Sequence, residues 1–289
     1  MKKFLSFALI LALALTLGVP ALAVDAGEAR TVVGADLTQS QIDEVYKTFG
    51  IARGDVKELT VTNAEERDYL EGIVSESVIG TRSISCIYIK VLAAGSGLTV
   101  SSSNISWCTN EMYQAAMLTA GITDAEVTVT APFAVSGTAA LTGVYKAYED
   151  ITGKTLEMQN KETAAEELVI TAELADATDS AAALSIISEL KLILDEISGM
   201  TDEQLHDEIV RIAASYGYTL TEEEIARIIS LCRSMQGLSV DELQSRISSF
   251  QDTVEKLSGA VESVSGFGAK VAAFFNSIAE FFAKLFGKG

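Results

Sequence analysis

Histidine limits the chemistry of this chain most strongly, because the sequence contains only one, His206. Ser-His-Asp and Cys-His mechanisms place an imidazole beside the nucleophile, and a catalytic zinc site usually takes two or three histidines. The three cysteines, Cys86, Cys108 and Cys232, lack the C-x-x-C spacing that could replace those ligands. His206 lies in the acidic stretch DEQLHDE, where we expect a solvated side chain among carboxylates. The sequence therefore predicts no catalytic residue, no cofactor and no metal site.

Carboxylates are the abundant reactive groups, with 40 Asp and Glu against 21 Lys and Arg. A pair of carboxylates can hydrolyse a glycosidic bond, so a secreted carboxylate-dependent hydrolase is one alternative function. The main clusters, at 65–66, 166–167 and 222–224, fall on predicted helices, where we expect solvated faces that suit the helix dipole. The formal net charge of −19 repels phosphate backbones, so the sequence predicts no nucleic-acid partner.

Ser136, Gly137 and Thr138 form the candidate for a small-ligand site. They follow a predicted strand and open a predicted helix, and the free N–H groups of such a helix start can bind an anion. The segment has neither G-x-G-x-x-G nor the lysine of a Walker loop. The simpler interpretation is that Ser136 caps the helix and Gly137 permits close packing. An anion-binding or small-ligand module is thus a second alternative function.

The first 23 residues read as a secretory signal peptide. Lys2 and Lys3 precede an apolar run over residues 4–19, and Ala21-Leu22-Ala23 supplies the small residues that signal peptidase requires. An uncleaved membrane anchor is the alternative, but the run is short for a span of about 20 residues. We expect cleavage before Val24 and a secreted, extracellular protein that can associate with the cell surface.

The C-terminal stretch 266–289 has the pattern of an amphipathic, aromatic-rich helix. It holds six of the eleven phenylalanines of the chain, and its apolar side chains recur at i, i+3, i+4 and i+7. Lysines and one glutamate occupy the other side, which is typical of a helix lying in a membrane interface. Packing against the protein or a partner helix is equally consistent. The predicted contact residues are Phe267, Phe274, Phe275, Ile278, Phe281, Phe282, Leu285 and Phe286.

The elements that position these residues predict an α+β fold for residues 24–153. Strand-like runs at 57–62, 83–93, 98–107 and 125–130 alternate with helix-like segments in the order β-α-β-β-α-β, which is the ferredoxin-like order. The glycines between the second and third runs predict a hairpin. Cys86 and Cys108 lie near the two ends of that hairpin, and whether they form a disulfide stays open.

Residues 154–265 predict an acidic, all-α domain, because strand signals nearly vanish there. Thr201, Thr221 and Ser239 each follow an apolar residue and precede a Glu or Gln at the third helical position. This combination is a capping box with a hydrophobic staple. Thr38 begins a similar segment near the N-terminus. We read this as recurrent capping chemistry in a helical bundle rather than as a sequence repeat.

Four separated segments carry a family resemblance. They read TVVGADLT at 31–38, VTNAEER at 61–67, IGTRSIS at 79–85 and PFAVSGTAALTG at 132–143. In this order they resemble a family of secreted Gram-positive bacterial proteins classed as a domain of unknown function. The resemblance covers roughly residues 30–250 and implies secretion and a shared architecture, but no reaction, cofactor or catalytic residue.

Together these observations predict an exported, non-enzymatic surface or envelope-associated protein with a binding or structural role. The partner would be a membrane surface or a partner helix, reached through the tail at 266–289.

Overall fold

The computed structural model describes residues 26–72 and 76–249. The predicted signal peptide at 1–23 and the predicted amphipathic helix at 266–289 lie outside the described residues. Within the described part the chain has an α+β fold with one mixed five-stranded sheet and a set of helices. None of the described helices is both long enough and apolar enough to cross a membrane.

The strands and helices follow one another in a mixed order. The strands are β1 (Ala29–Gly34), β2 (Lys57–Val61), β3 (Cys86–Val91), β4 (Leu98–Ile105) and β5 (Ala125–Val135). The helices are α1 (Gln39–Phe49), α2 (Asn63–Leu70), α3 (Glu76–Ile79), α4 (Asn110–Ala120), α5 (Thr138–Thr152), α6 (Met158–Ala177), α7 (Ser180–Leu192), α8 (Leu194–Ile197), α9 (Asp202–Ser215) and α10 (Glu222–Gln236). Residues 240–249 are helical as well.

The strand order β2-β1-β3-β5-β4 is not ferredoxin-like, so that part of the fold prediction is wrong. The prediction omitted β1, which lies inside the sheet and pairs in parallel with β2 and antiparallel with β3. It also expected β3 and β4 to form a hairpin, whereas β5 lies between them. Because β4 and β5 are parallel neighbours, they need a crossover connection, and α4 provides it.

The two faces of the sheet carry separate cores. On one face, Val32, Ile87 and Val129 are buried in a large cluster that continues through α4 and α5 into α6. On the other face, Val33 and Cys86 pack with side chains of α1 in a smaller cluster. Cys108 belongs to the large cluster, so it and Cys86 lie on opposite sides of the sheet as free, buried thiols.

A third core lies among the helices from α6 to residue 247, and Cys232 is buried in it as a small apolar side chain. Helix α6 belongs to two cores, because Leu168 and Val169 face the sheet core whereas Ile170 and Leu174 face the helical core. The sequence boundary between residues 153 and 154 stays a prediction, and the structure adds that α6 joins the cores on its two sides.

Capping residues define most helix starts as the sequence predicts. Thr38, Thr201 and Thr221 each form a complete capping box. Thr62 caps the start of α2, and Glu65 closes its capping box. Glu66, the next residue, is not part of the box and lies in the interior, where it is 1% exposed.

Gly34 marks a close approach of two backbone segments at the end of β1. A β-carbon on Gly34 would lie 2.2 Å from the carbonyl oxygen of Ser83. Asp36 holds the same segment, because the amide of Ser83 donates to its carboxylate at 2.8 Å. No side chain fits there unless one of the two backbones moves.

We therefore expect Gly34→Ala to lower the free energy of unfolding by about 2–3 kcal/mol, as steric overpacking does. Gly199→Ala is the matched control, since the nearest atom to its β-carbon would be 3.9 Å away, and it should change stability by less than about 0.5 kcal/mol. Urea denaturation of both variants checks this. Equal effects of the two substitutions would contradict the close approach.

Candidate functional site

A cleft of about 520 Å³ lies where α2, α6 and α10 meet, beside the junction of the sheet core and the helical core. Its volume is in the range of sites that bind small molecules. The polar residues that line it are Asp68, Tyr69, Glu71, Gln159, Glu162, Thr163, Glu166, Arg227, Ser230 and Ser234. Sequence reasoning did not find this cleft, because its walls come from three segments that are far apart in the chain.

The charge of the cleft is strongly negative. Among the described residues that line it, four carry carboxylates, Asp68, Glu71, Glu162 and Glu166, and one carries a guanidinium, Arg227. Arg227 forms an ion pair with Glu173 at 2.5 Å, so its charge is already compensated. Asp68, Glu71 and Glu162 are exposed, and Glu166 is almost buried and accepts a hydrogen bond from Ser230 at 3.2 Å.

Tyr69, which lines the cleft, contacts an aromatic ring and a cation behind the cleft wall. Tyr69 packs edge-on against Tyr145 with ring centroids 5.7 Å apart. The ammonium of Lys161 lies 5.5 Å from the centre of the Tyr69 ring and 3.1 Å from Glu149. The ring face of a tyrosine attracts cations, and here the chain itself provides one example of that contact.

The glutamates predicted to be solvated divide into two groups. Glu222 and Glu223 are exposed in the first turn of α10, as expected. Glu66 and Glu167 are fully buried, so the prediction of solvated faces is wrong for them. Helix α6 has packed neighbours on several sides, and the sequence pattern does not show which of its carboxylates face those neighbours.

Glu167 is compensated by a buried lysine. The ammonium of Lys191 on α7 lies 2.7 Å from the Glu167 carboxylate, and the two side chains are 3% and 1% exposed. The hydroxyl of Thr119 on α4 donates to the same carboxylate at 2.5 Å, and Lys191 also donates to Thr119 at 2.9 Å. This network therefore connects three helices and has a structural role.

Glu66 of α2 lies beside the start of α5, the segment of Ser136, Gly137 and Thr138 that the sequence indicated as the anion-binding candidate. The hydroxyl of Thr138 donates to the Glu66 carboxylate at 2.7 Å. Gly137 is the N-cap residue with φ of 102° and makes no side-chain cap, so the expected capping by Ser136 is wrong. Burial raises the pKa of Glu66 to about 7. The candidate segment thus already contacts a carboxylate of the chain.

The four segments that carry the family resemblance meet in the folded chain. The Arg82 guanidinium, in the third segment, donates to the carbonyl oxygen of Asp36 in the first. Arg67, in the second segment, donates to the carbonyl oxygen of Gly80 in the third at 2.9 Å. The bond from Thr138 to Glu66 joins the second segment to the fourth. The pattern read along the sequence is therefore one packed region of the structure.

His206 and the cysteines lie outside these features. The His206 ring nitrogens lie 3.4 Å from Asp207 and 3.3 Å from Glu222, and these carboxylates raise its pKa. This agrees with the expected solvated side chain among carboxylates. Burial raises the pKa of each cysteine thiol to about 12, and a nucleophilic cysteine needs the opposite shift. In the described part of the chain, no three His, Cys, Asp or Glu side chains are placed to hold a metal ion.

The buried ion pair gives a testable stability prediction. Lys191→Met should lower the free energy of unfolding by about 3–5 kcal/mol, because it leaves the Glu167 charge buried without its partner. The double variant Lys191→Met with Glu167→Leu should recover most of that loss, since both charges are then absent. Urea denaturation at neutral pH measures both. A double variant as unstable as the single one would show that the charge is not the cause.

Comparison with known proteins gives a family but no assigned activity. The family model described as "Protein of unknown function (DUF1002)" matches residues 33–257. The chain is 37% identical over 217 residues to "Uncharacterized protein YpuA" of Bacillus subtilis (strain 168), and the match covers 74% of each chain. No solved structure matches significantly. The match over most of its length shows that this chain belongs to the DUF1002 family, whose function is not known.

Proposed function

We propose that this chain is an exported, non-enzymatic binding protein whose cleft between α2, α6 and α10 takes a cationic ligand. The observation that carries the proposal is the charge of the cleft. Four carboxylates face a space of about 520 Å³, and its one guanidinium is already paired with Glu173. A concave site of one sign concentrates ligands of the opposite sign.

The chemistry of the surrounding groups favours binding over hydrolysis. A carboxylate-dependent hydrolase needs an acid with a raised pKa that faces the substrate. Glu66 has such a pKa, but it is buried and does not line the cleft. The carboxylates that do line the cleft include three that are exposed to water, where they can attract a cation.

An anion site at the start of α5 is supported less well. The Thr138 hydroxyl is already engaged by Glu66. A β-carbon on Gly137 would lie 2.3 Å from the Tyr113 hydroxyl oxygen, so the backbone there is packed closely against α4. A second anion beside the Glu66 carboxylate would also meet electrostatic repulsion whenever that group is ionised.

The expected test uses a probe with fixed positive charge, the diarginine peptide with acetylated and amidated ends. The guanidinium group stays protonated at all working pH values. Asp68→Asn with Glu162→Gln should weaken binding about fivefold at about 0.1 M ionic strength, because each exposed charge pair contributes up to about 0.5–1 kcal/mol. NMR titration gives the dissociation constant.

The matched control is Asp195→Asn with Glu203→Gln. Both residues are exposed and lie outside the cleft, so this variant removes the same charge without changing the site. It should keep the affinity of the unchanged protein within about twofold, because neither side chain lines the cleft and salt weakens interactions between separated exposed charges. If both variants weaken peptide binding equally, only the net charge matters and the cleft is not the binding site.

Within this proposal, attachment to the envelope belongs to residues 266–289. Deleting them should abolish co-sedimentation with anionic phospholipid vesicles, because the rest of the chain is acidic and repelled by such a surface. Phe281→Asp should have the same effect, since it places a charge in the apolar stripe. Circular dichroism of the truncated protein is the control and should show a folded chain. The alternative is that the full-length protein never sediments with vesicles but forms a dimer, which the deletion converts to a monomer. That result would show that the apolar side of residues 266–289 contacts a partner helix instead.

A further inference from the structure

Helix α2 contributes to two places in the fold. Asp68 and Tyr69 line the cleft. Glu66, about one helical turn before Tyr69, is buried against the start of α5. The helix is only eight residues long, so a change at Glu66 acts within one turn of the residues that line the cleft.

The surroundings of Glu66 give its charge little compensation. Its polar contacts are the Thr138 hydroxyl at 2.7 Å and the Asn63 amide at 3.5 Å. Arg67 favours the charged form through space, but its guanidinium is bound to Glu76 and to the carbonyl oxygen of Gly80. Among the described residues, no ammonium or guanidinium forms an ion pair with the Glu66 carboxylate.

The other titratable groups around α2 do not supply a counter-charge to Glu66. Cys108 and Tyr113, at the start of α4, are buried with the pKa of each raised, so they stay neutral. Lys161 of α6 lies over Tyr69 and pairs with Glu149, and Lys146 of α5 pairs with Glu65 at 2.5 Å. Ionisation of Glu66 therefore places a negative charge in a buried site that compensates it only in part, which is unfavourable unless water reaches it.

We propose that Glu66 makes α2 a pH-responsive wall of the cleft, seated tightly when the carboxyl group is protonated and loosened when it ionises. This inference rests on the proposed function of the cleft, because loosening α2 displaces Asp68 and Tyr69 and weakens the binding of a cationic ligand. Mildly acidic conditions then favour the binding-competent arrangement, and alkaline conditions oppose it.

Protonation linkage gives the direction of the pH effect. When an acid has a higher pKa in the folded chain than in the unfolded chain, its contribution to stability is fully present below the pKa of the unfolded chain. That contribution is lost as the pH rises through the pKa of the folded chain. For Glu66 this loss spans the pH range from the ordinary pKa of glutamate, about 4.3, to the pKa of Glu66 in the folded chain, about 7. The loss between pH 5.5 and 8.5 should therefore be visible as easier local opening of α2.

The first measurement is hydrogen exchange of the α2 amides in the full chain, expressed as protection factors. Between pH 5.5 and 8.5 the protection of α2 should fall by about tenfold in the unchanged protein, as linkage predicts for this window. In Glu66→Gln, whose side chain cannot ionise, it should stay constant. Amides of α1, which packs on the opposite face of the sheet from the core that holds Glu66, are the internal control. The same fall in both proteins, or none in the unchanged one, would overturn the inference.

A second variant guards against poor folding of Glu66→Gln. Thr138→Val removes the hydroxyl that stabilises the ionised carboxylate, so it should move the midpoint of the protection change to higher pH. An unchanged or lowered midpoint would count against the proposal. This readout depends on the contact itself and would not move if Thr138 were only a packing residue.

The coupling to the cleft is tested with the capped diarginine peptide, whose own charge is constant over this range. Its dissociation constant should rise severalfold from pH 5.5 to 8.5 in the unchanged protein and less in Glu66→Gln. If α2 responds to pH but the affinity changes equally in both proteins, the coupling is refuted. If the peptide binds neither protein, the cation site fails, whereas the exchange data still decide whether α2 responds to Glu66.

Discussion

Helix α6 packs against two cores, and this constraint decides where its charges go. Leu168 faces the sheet core and Leu174 faces the helical core, so little of its surface is left for water. Glu167 is enclosed and needs Lys191 and Thr119 as partners. Glu162 and Glu166 instead border the cleft. The buried pair and the acidic cleft are therefore two consequences of one shared helix.

A buried ion pair is weak evidence for stability, because desolvation of both charges offsets much of their attraction. Its geometry still restricts how helices can pack. The Glu167–Lys191 pair is satisfied only when α4, α6 and α7 bring Thr119, Glu167 and Lys191 together. We therefore regard the pair as fixing the arrangement of the helices behind the sheet, which in turn sets the position of the α6 wall of the cleft.

The second organising region lies around α2. Glu66 contacts Thr138, and Arg67 contacts Gly80, so segments distant in sequence share a few polar contacts. The resemblance read from the sequence rests on these same segments. Their meeting gives the family pattern a structural meaning, since each segment supplies groups that another segment needs.

The sequence by itself determined the local structure and showed which reactive side chains, above all histidine, are rare in this chain. Capping boxes at Thr38, Thr201 and Thr221 depend on residues three positions apart, so they can be read directly. The placement of His206 among carboxylates follows from the residues beside it in the same way. The α+β class and the family resemblance were also evident, because they depend on local patterns and on their order along the chain.

Only the tertiary structure decided the sheet order, the burial of Glu66 and Glu167, and the cleft. Strand β5 lies between β3 and β4, and α4 is the crossover that connects the parallel strands β4 and β5. The glycine-containing turn between β3 and β4 looks the same in the sequence as the turn of a hairpin. A glutamate in a helix looks the same in sequence whether its neighbour is water, Thr138 or Lys191. Burial and charge compensation depend on contacts between distant segments, and those contacts exist only in the folded chain.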